Sequence, residues 1–193
     1  MATQSHTKKI VALSIVIIIL LGGISLFIVT ISKYNSPVQT ETTVKVNQDK
    51  VPTETVSALI SSNKDLSKFE KYLKDTGQYT LLESTDPYTV LAFSNEGYDN
   101  AEKSVKDLFS NESKAPAQKD IISYHIINGN IKPDAMTEGQ KLKTTNGSEV
   151  IIKVEDKDIY VIDMKGDKHL ITKAGIPAKN GSIYIIDGIL LPQ

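Results

Sequence analysis

The stretch that decides the fold closes the sequence: Asn180-Gly181-Ser182-Ile183-Tyr184-Ile185-Ile186-Asp187-Gly188-Ile189-Leu190-Leu191-Pro192. Asn-Gly is a strong turn dipeptide because both residues tolerate positive φ. The β-branched and aromatic residues that follow are typical of a strand, and both of its faces are apolar. We therefore predict a strand buried between two layers, ended by Pro192, which has no N–H to donate to a ladder.

Composition narrows the class of protein. The 193 residues are 40% hydrophobic and 23% charged, which fits one globular domain plus appendages. All 22 basic residues are lysine and the net charge is −1. The chain thus lacks the guanidinium fork that recognises phosphate and guanine, and a nucleic-acid partner is not predicted. With no cysteine, disulfides, thiolate catalysis and cysteine-based zinc sites are excluded.

The N-terminal part predicts a membrane anchor. Residues 10–31 carry no charge and would span about 33 Å as a helix, enough for a hydrocarbon core of about 30 Å. Lys8 and Lys9 precede this run and Lys33 follows closely, which favours a cytoplasmic N-terminus at residues 1–9. We predict an uncleaved signal anchor, with a cleaved signal peptide as the alternative. The polar residues 32–50 predict a flexible linker to a globular part at residues 51–193.

The globular part begins with helical patterns and ends with strands. Thr53 is predicted to cap a first short helix, and Gly77 to end a second helix that begins near Asp65. A strand at residues 87–93 and helices around 105–109 and 116–125 follow. Apolar alternation then predicts strands at residues 142–144, 150–154, 159–164 and 169–172, with Asn146-Gly147 turning the first hairpin. Because helices come first and strands later, the predicted class is α+β.

Four separated blocks now resemble one family, the fasciclin domains. Residues 89–98, TVLAFSNEGY, resemble its T-V-F-A-P-T-N-x-A-F block, and residues 124–129, YHIING, resemble its Y-H-V-V-x-G block. Leu142-x-Thr144-x-x-Gly147 and residues 180–192 (compare N-G-x-I-H-V-I-D-x-V-L-L-P) follow in the family's order. The departures are Phe93 for proline, Tyr98 for phenylalanine and Tyr184 for histidine. The resemblance covers residues 51–193 and implies a β-wedge or sandwich with packed short helices.

The resemblance also implies two sets of residues. The family's signature positions, expected to be structural, are Thr89, Asn95, Tyr98, Gly129, Asn180, Gly181 and Asp187. The positions that the family associates with adhesion are Tyr124 and His125, followed by Ile126 and Ile127. A tyrosine suits an interface because it joins an apolar ring to a polar tip. The alternative is a buried histidine satisfied by a neighbouring acceptor, since the pair lies where a helix runs into an apolar strand.

Other chemistry is weakly indicated. The globular part has no G-x-S-x-G elbow and no histidine pair at metal-ligand spacing, so we predict no enzyme, no cofactor and no metal. Residues 155–158, EDKD, suggest calcium, but the tip of a two-residue hairpin explains them better. Asn111, Asn146 and Asn180 begin glycosylation sequons that matter only in a host with that machinery.

Together these features predict a single-pass cell-membrane protein whose extracellular fasciclin-like domain acts as an adhesion or protein-interaction module. Its expected partner is a cell-surface or extracellular-matrix protein or glycan. The alternative is a cell-surface carrier of a small hydrophobic ligand, a pigment or a lipid, which would require an apolar pocket.

Overall fold

The computed structural model describes residues 51–193. The three N-terminal predictions, a cytoplasmic segment at residues 1–9, an anchor at 10–31 and a linker at 32–50, lie outside these described residues. Within residues 51–193, none of the helices combines the length and the apolar character needed to cross a bilayer.

The helices are short. Six α-helices form in the described part: α1 Val56–Ser62, α2 Ser67–Asp75, α3 Gln78–Leu81, α4 Asn95–Asn100, α5 Lys103–Leu108 and α6 Ala115–Tyr124. Three single 3-10 turns accompany them at Lys64–Leu66, Glu112–Lys114 and Pro133–Ala135. Of the six α-helices, α3 and α4 were not predicted from the sequence.

The first two helices show how side chains set the ends. Thr55, not the predicted Thr53, caps α1, because its Oγ1 accepts the N–H of Ala58 at 3.2 Å. The prediction that Gly77 ends the second helix is confirmed. Gly77 follows Thr76, the C-cap of α2, and has φ 73°, a conformation that glycine adopts without penalty.

The strands form one continuous sheet. Their bounds are β1 Tyr88–Phe93, β2 Ile126–Asn128, β3 Lys141–Lys143, β4 Glu149–Glu155, β5 Asp158–Ile162, β6 Lys168–Ala178 and β7 Gly181–Ile186. The order across the sheet is β2-β1-β7-β6-β5-β4-β3, and β1 pairs with β7 in parallel. An isolated bridge between Ile127 and Thr144 brings the two end strands together, which makes the sheet barrel-like. Helices and strands are mixed as predicted: the strand predicted at residues 87–93 is β1, and most of the remaining strands follow the last α-helix.

Strand β6 joins the two halves of the sheet. Its first residues pair with β5, and residues from Ile171 to Ala178 pair with β7. The register shifts on both sides of Lys173, which bends the strand from one half to the other. The predicted hairpin across Asn146-Gly147 is confirmed, with Leu142 opposite Val150 and Gly147 at φ 96°.

The closing stretch is buried as predicted but leaves the sheet early. All six residues of β7 are buried, as are all six of β1. The strand ends at Ile186 rather than at Pro192. The Asp187 N–H still donates to the Leu170 carbonyl of β6 at 3.1 Å, but further along the tail the N–H groups bond to side chains instead of to a neighbouring strand. Leu190 donates to Nε2 of His125 at 3.1 Å, and Leu191 donates to Oδ2 of Asp163 at 3.0 Å. The tail still packs into the core, with Ile189 through Leu191 buried.

Candidate functional site

Tyr124 is the last residue of α6, and its side chain is fully buried. The hydroxyl donates to the carbonyl oxygen of Glu149 at 2.9 Å and so ties α6 to β4. Burial raises the pKa of Tyr124 to about 12, because the phenolate form would lose its hydration. The hydroxyl group, which would suit an interface, is therefore already hydrogen-bonded inside the domain.

His125 follows as the C-cap of α6 and is 0% exposed. Because the Leu190 N–H donates to Nε2, the ring proton resides on Nδ1, which donates to the carbonyl oxygen of Ile121 at 2.8 Å. The rings of Phe69 and Phe93 pack against the imidazole with centroids 5.8 and 5.4 Å away. Burial lowers the pKa of His125 to about 4. The imidazole is therefore a neutral structural link between α6 and the C-terminal tail.

The adhesion candidates thus belong to the core. Tyr124, His125 and Ile126 are fully buried and Ile127 is 2% exposed. Such side chains cannot touch a partner while the domain keeps this conformation. The sequence left two alternatives for Tyr124 and His125, and the structure agrees with the second: a buried histidine bonded to a neighbouring carbonyl. That these four residues contact a partner directly stays a prediction without support.

The signature residues link remote segments. Thr89 on β1 donates from Oγ1 to the Gly129 carbonyl at 2.7 Å and accepts the Ile131 N–H at 2.8 Å. These two bonds fix the loop that leaves β2, where Gly129 has φ 98°.

The Asn180 side chain forms three hydrogen bonds to backbone groups of distant segments. Its Oδ1 accepts the Val56 N–H at 2.9 Å, and its Nδ2 donates to the carbonyls of Leu82 and Ser84 at 2.9 and 2.6 Å. The side chain is buried and binds the β6–β7 turn to α1 and to the loop before β1. At Gly181 a Cβ atom would lie 1.8 Å from the Tyr88 carbonyl oxygen, so the close approach of β1 to β7 requires glycine.

Asn95 and Tyr98 on α4 bind α2. The Oδ1 atom of Asn95 accepts the N–H of Lys68 at 3.0 Å, and its Nδ2 donates to the Lys64 carbonyl at 2.9 Å. A local bond comes from Ser94, whose Oγ accepts the Gly97 N–H at 2.9 Å. The Tyr98 hydroxyl lies 2.9 Å from that of Tyr72 on α2.

Asp163 is a residue that the sequence analysis missed. Its Oδ1 accepts the N–H groups of Lys165 and Asp167, while Oδ2 holds the Leu191 N–H of the tail. Burial works against ionisation, but the nearby His169 and these backbone donors lower the pKa of Asp163 below its usual value. An aspartate three residues before Gly166 is a recognisable turn signal, yet nothing local indicates its bond to the tail.

Asp187, the last signature residue, accepts the Leu170 N–H at 2.8 Å and is otherwise exposed. It lies between two adjoining grooves of about 430 and 510 Å³, which share Gly97, Asn100 and Asp187. We name these two grooves together the acidic trough, because Asp65, Glu96, Glu102, Asp167 and Asp187 line it. Its polar walls give no support to the carrier alternative. Sequence reasoning missed it because five separate segments build it: the turn at residues 64–66, residues 94–105 of α4–α5, the β5–β6 turn, β6, and the end of β7 with the tail.

The weaker sequence signals have structural explanations. Glu155 and Asp158 pair across a two-residue turn with Asp156 at φ 55°, and Glu155 contacts Lys168. Among residues 51–193 no group of three acidic, histidine or cysteine side chains is arranged to hold a metal ion. Of the sequon asparagines, Asn180 is buried and Asn111 is exposed.

Comparison with known proteins gives consistent matches. Residues 64–192 match the family model described as Fasciclin domain. Human Stabilin-1 is 24% identical over 142 residues, which is 73% of this chain but only 5% of Stabilin-1. Protein sll1483 of Synechocystis is 26% identical over 139 residues, covering 72% of this chain and 73% of that protein. A solved FAS1 domain pair from the insect cell adhesion molecule Fasciclin I matches with a TM-score of 0.65 at 19% identity, covering 73% of this chain and 52% of that one.

Proposed function

The chain belongs to the fasciclin domain family, and from this membership we propose that it is a cell-surface adhesion or protein-interaction module, anchored by residues 10–31, and not an enzyme. The observation that carries the proposal is the match of residues 64–192 to the family, over the same elements that the signature residues hold together. The solved relative in fold comes from an insect cell adhesion molecule, which agrees with this proposal.

The proposed topology rests on charge and length. Residues 10–31 are uncharged, and the lysines before them exceed those that closely follow, so the N-terminus stays in the cytoplasm and residues 51–193 face outward. Protease treatment of intact cells that express the full chain tests this directly. We expect the globular part to be cleaved from intact cells; protection until lysis would contradict the topology.

Adhesion itself is tested with the full chain displayed on non-adherent cells. These cells are allowed to settle on host cells and on a panel of matrix proteins and glycans, and the attached fraction is counted after a wash. The matched control is the Gly181→Ala chain, which keeps the anchor but whose added Cβ would overlap the Tyr88 carbonyl oxygen and disrupt the β1–β7 pair. We expect attachment to at least one surface by the wild-type chain alone; equal attachment by both chains, or by neither, would refute the module.

The buried pair gives a second comparison within the same assay. In Tyr124→Phe the ring remains and only the bond to the Glu149 carbonyl is lost. If the domain binds its partner through exposed surface, attachment of this variant should follow the fraction of folded domain, measured by the rate of proteolysis. Loss of attachment in a fully folded Tyr124→Phe chain would restore Tyr124 as a contact residue.

A further inference from the structure

The acidic trough is a concave, exposed surface of the described domain. Its floor includes Ala101, Val105, Ile189 and Leu191, which are buried or half-buried. Exposed polar side chains rise on both sides of this floor, among them Asn100 and the charged residues described below. An apolar floor with polar walls suits an extended segment of chain better than a flat protein surface.

The trough carries unpaired negative charge. All five of its carboxylates are exposed, and none of them forms an ion pair with another described residue. Elsewhere in the domain some carboxylates, such as Glu138 and Glu155, have lysine partners, and others do not. Two lysines, Lys165 and Lys173, line the trough against these five acids. A concave surface with an excess of one sign of charge attracts ligands of the opposite sign.

The walls of the trough are held in place. At Gly97 on α4 a Cβ atom would lie 2.7 Å from the Asp187 carbonyl, and at Gly188 one would lie 2.5 Å from Nδ1 of His169. These two glycines let the tail approach both α4 and β6. His169 is in turn 3.6 Å from the buried carboxylate of Asp163. A site that is formed before binding loses less conformational entropy when the ligand arrives.

We propose that the acidic trough is the contact surface of the module and receives an extended, lysine- or arginine-rich segment of a partner protein. The inference rests on the proposed function and names its partner chemistry. Cationic heads would pair with Glu102, Asp167 and Asp187, while their aliphatic stems cover Val105 and Ile189. The same charges repel anionic glycans, nucleic acids and anionic lipid headgroups.

The test uses the full chain in non-ionic detergent and fluorescent peptides of eight residues. One peptide alternates lysine with alanine and the other alternates glutamate with alanine; heparin is a third probe. The test variant is Glu102→Lys/Asp167→Lys. The matched control is Glu83→Lys/Asp86→Lys, which changes the net charge equally through two exposed, unpaired carboxylates outside the trough. A third variant, Ser104→Trp, fills the trough without changing its charge.

We expect the lysine peptide to bind the wild type, and the test variant to bind it about tenfold more weakly, with the control within about twofold of wild type. Ser104→Trp should also weaken binding at an unchanged melting temperature. Equal losses in test and control variants, absence of lysine-peptide binding, or binding of heparin in its place would overturn the inference.

The adhesion assay separates this inference from the proposed function. If wild-type cells attach and Glu102→Lys/Asp167→Lys cells do not, the result supports both the adhesion function and the trough as its contact surface. If both attach equally, the trough is not the contact surface but the module remains. If wild-type cells do not attach, the module itself is refuted, whatever the peptide does.

Discussion

The central strand pair, β1 with β7, and the outer hairpins, β3 through β5, are stabilised in different ways. Every residue of the central pair is buried, and its polar neighbours Thr89 and Asn180 bond to backbone groups of distant segments. In the outer hairpins buried residues are interspersed with half-buried and exposed ones. Their charged residues form ion pairs in which the side chains are 39–64% exposed. Buried hydrogen bonds are costly to lose, whereas exposed ion pairs contribute little. Polar contacts of similar length therefore contribute very differently to the stability of the two regions.

The largest effect is expected where two backbones touch. In Gly181→Ala the new methyl group would overlap the Tyr88 carbonyl oxygen, which is only 1.8 Å from its position. We expect the free energy of unfolding to fall by about 4 kcal/mol or more, measured by denaturant unfolding. Gly139→Ala is the control, since Gly139 has positive φ but no atom within 4 Å of the added carbon, and it should cost about 1 kcal/mol. Equal losses would show that backbone conformation, not contact, matters at Gly181.

The next effect is expected at Asn180. Asn180→Ala leaves the Val56 N–H and the Ser84 carbonyl without their side-chain partner and leaves the Leu82 carbonyl only its 3.4 Å bond from Ser57, at a cost of about 3 kcal/mol or more. Asn146→Ala, in the outer hairpin, removes bonds from a half-exposed turn and should cost less than half as much. Thermal melts of both variants compare the two regions directly. Similar melting temperatures for the two variants would contradict the difference in stabilisation between the central strand pair and the outer hairpins.

The third effect depends on pH and comes mainly from His125, whose ring packs against Phe93 of β1. The unfolded chain protonates His125 below its ordinary pKa of about 6.5, whereas burial lowers the pKa of the folded-state imidazole to about 4. The unfolded state therefore binds more protons in this window, and the free energy of unfolding should decrease by about 3 kcal/mol from pH 6.5 to pH 4. Asp163, with its lowered pKa, acts in the same direction at the acid end.

Denaturant midpoints across this range check the prediction. His125→Gln should be less stable at neutral pH but show a flatter decline between pH 6.5 and 4. Asn180→Ala, which is destabilised but keeps the imidazole, should retain the wild-type decline. A wild-type profile that is level in this window would mean that water reaches His125 in the folded state.

The smallest effect is expected in the outer hairpins. Lys153→Ala removes the ion pair with Glu138, whose side chains are 39% and 54% exposed. Because both side chains are already partly hydrated in the wild type, the ion pair contributes little, and the melting temperature should change by less than about 2 °C. A larger decrease that disappears at high salt would show that ion pairs do stabilise this region.

The parts of the fold that the sequence predicted well depend on neighbouring residues. Gly77 as a helix end, Asn146-Gly147 as a hairpin turn and the apolar strand after Gly181 all involve short-range chemistry. The early end of β7 was not predictable, because the groups that replace its ladder, His125 and Asp163, come from elsewhere in the chain. The resemblance identified the signature residues, but only their contacts show that they are internal links. The acidic trough left no local pattern, since its lining combines five segments.

The parallel pairing of β1 with β7 also has a consequence for how the protein is made. Tyr88 lies opposite Gly181, more than ninety residues later in the chain, and β1 is flanked on its other side by β2. During synthesis β1 must therefore wait, with one apolar edge uncovered, until nearly the whole domain has been translated. Contacts so distant in sequence slow folding and prolong the exposure of aggregation-prone strands. A chaperone that shields β1 during this interval would raise the yield of folded protein without touching the finished domain.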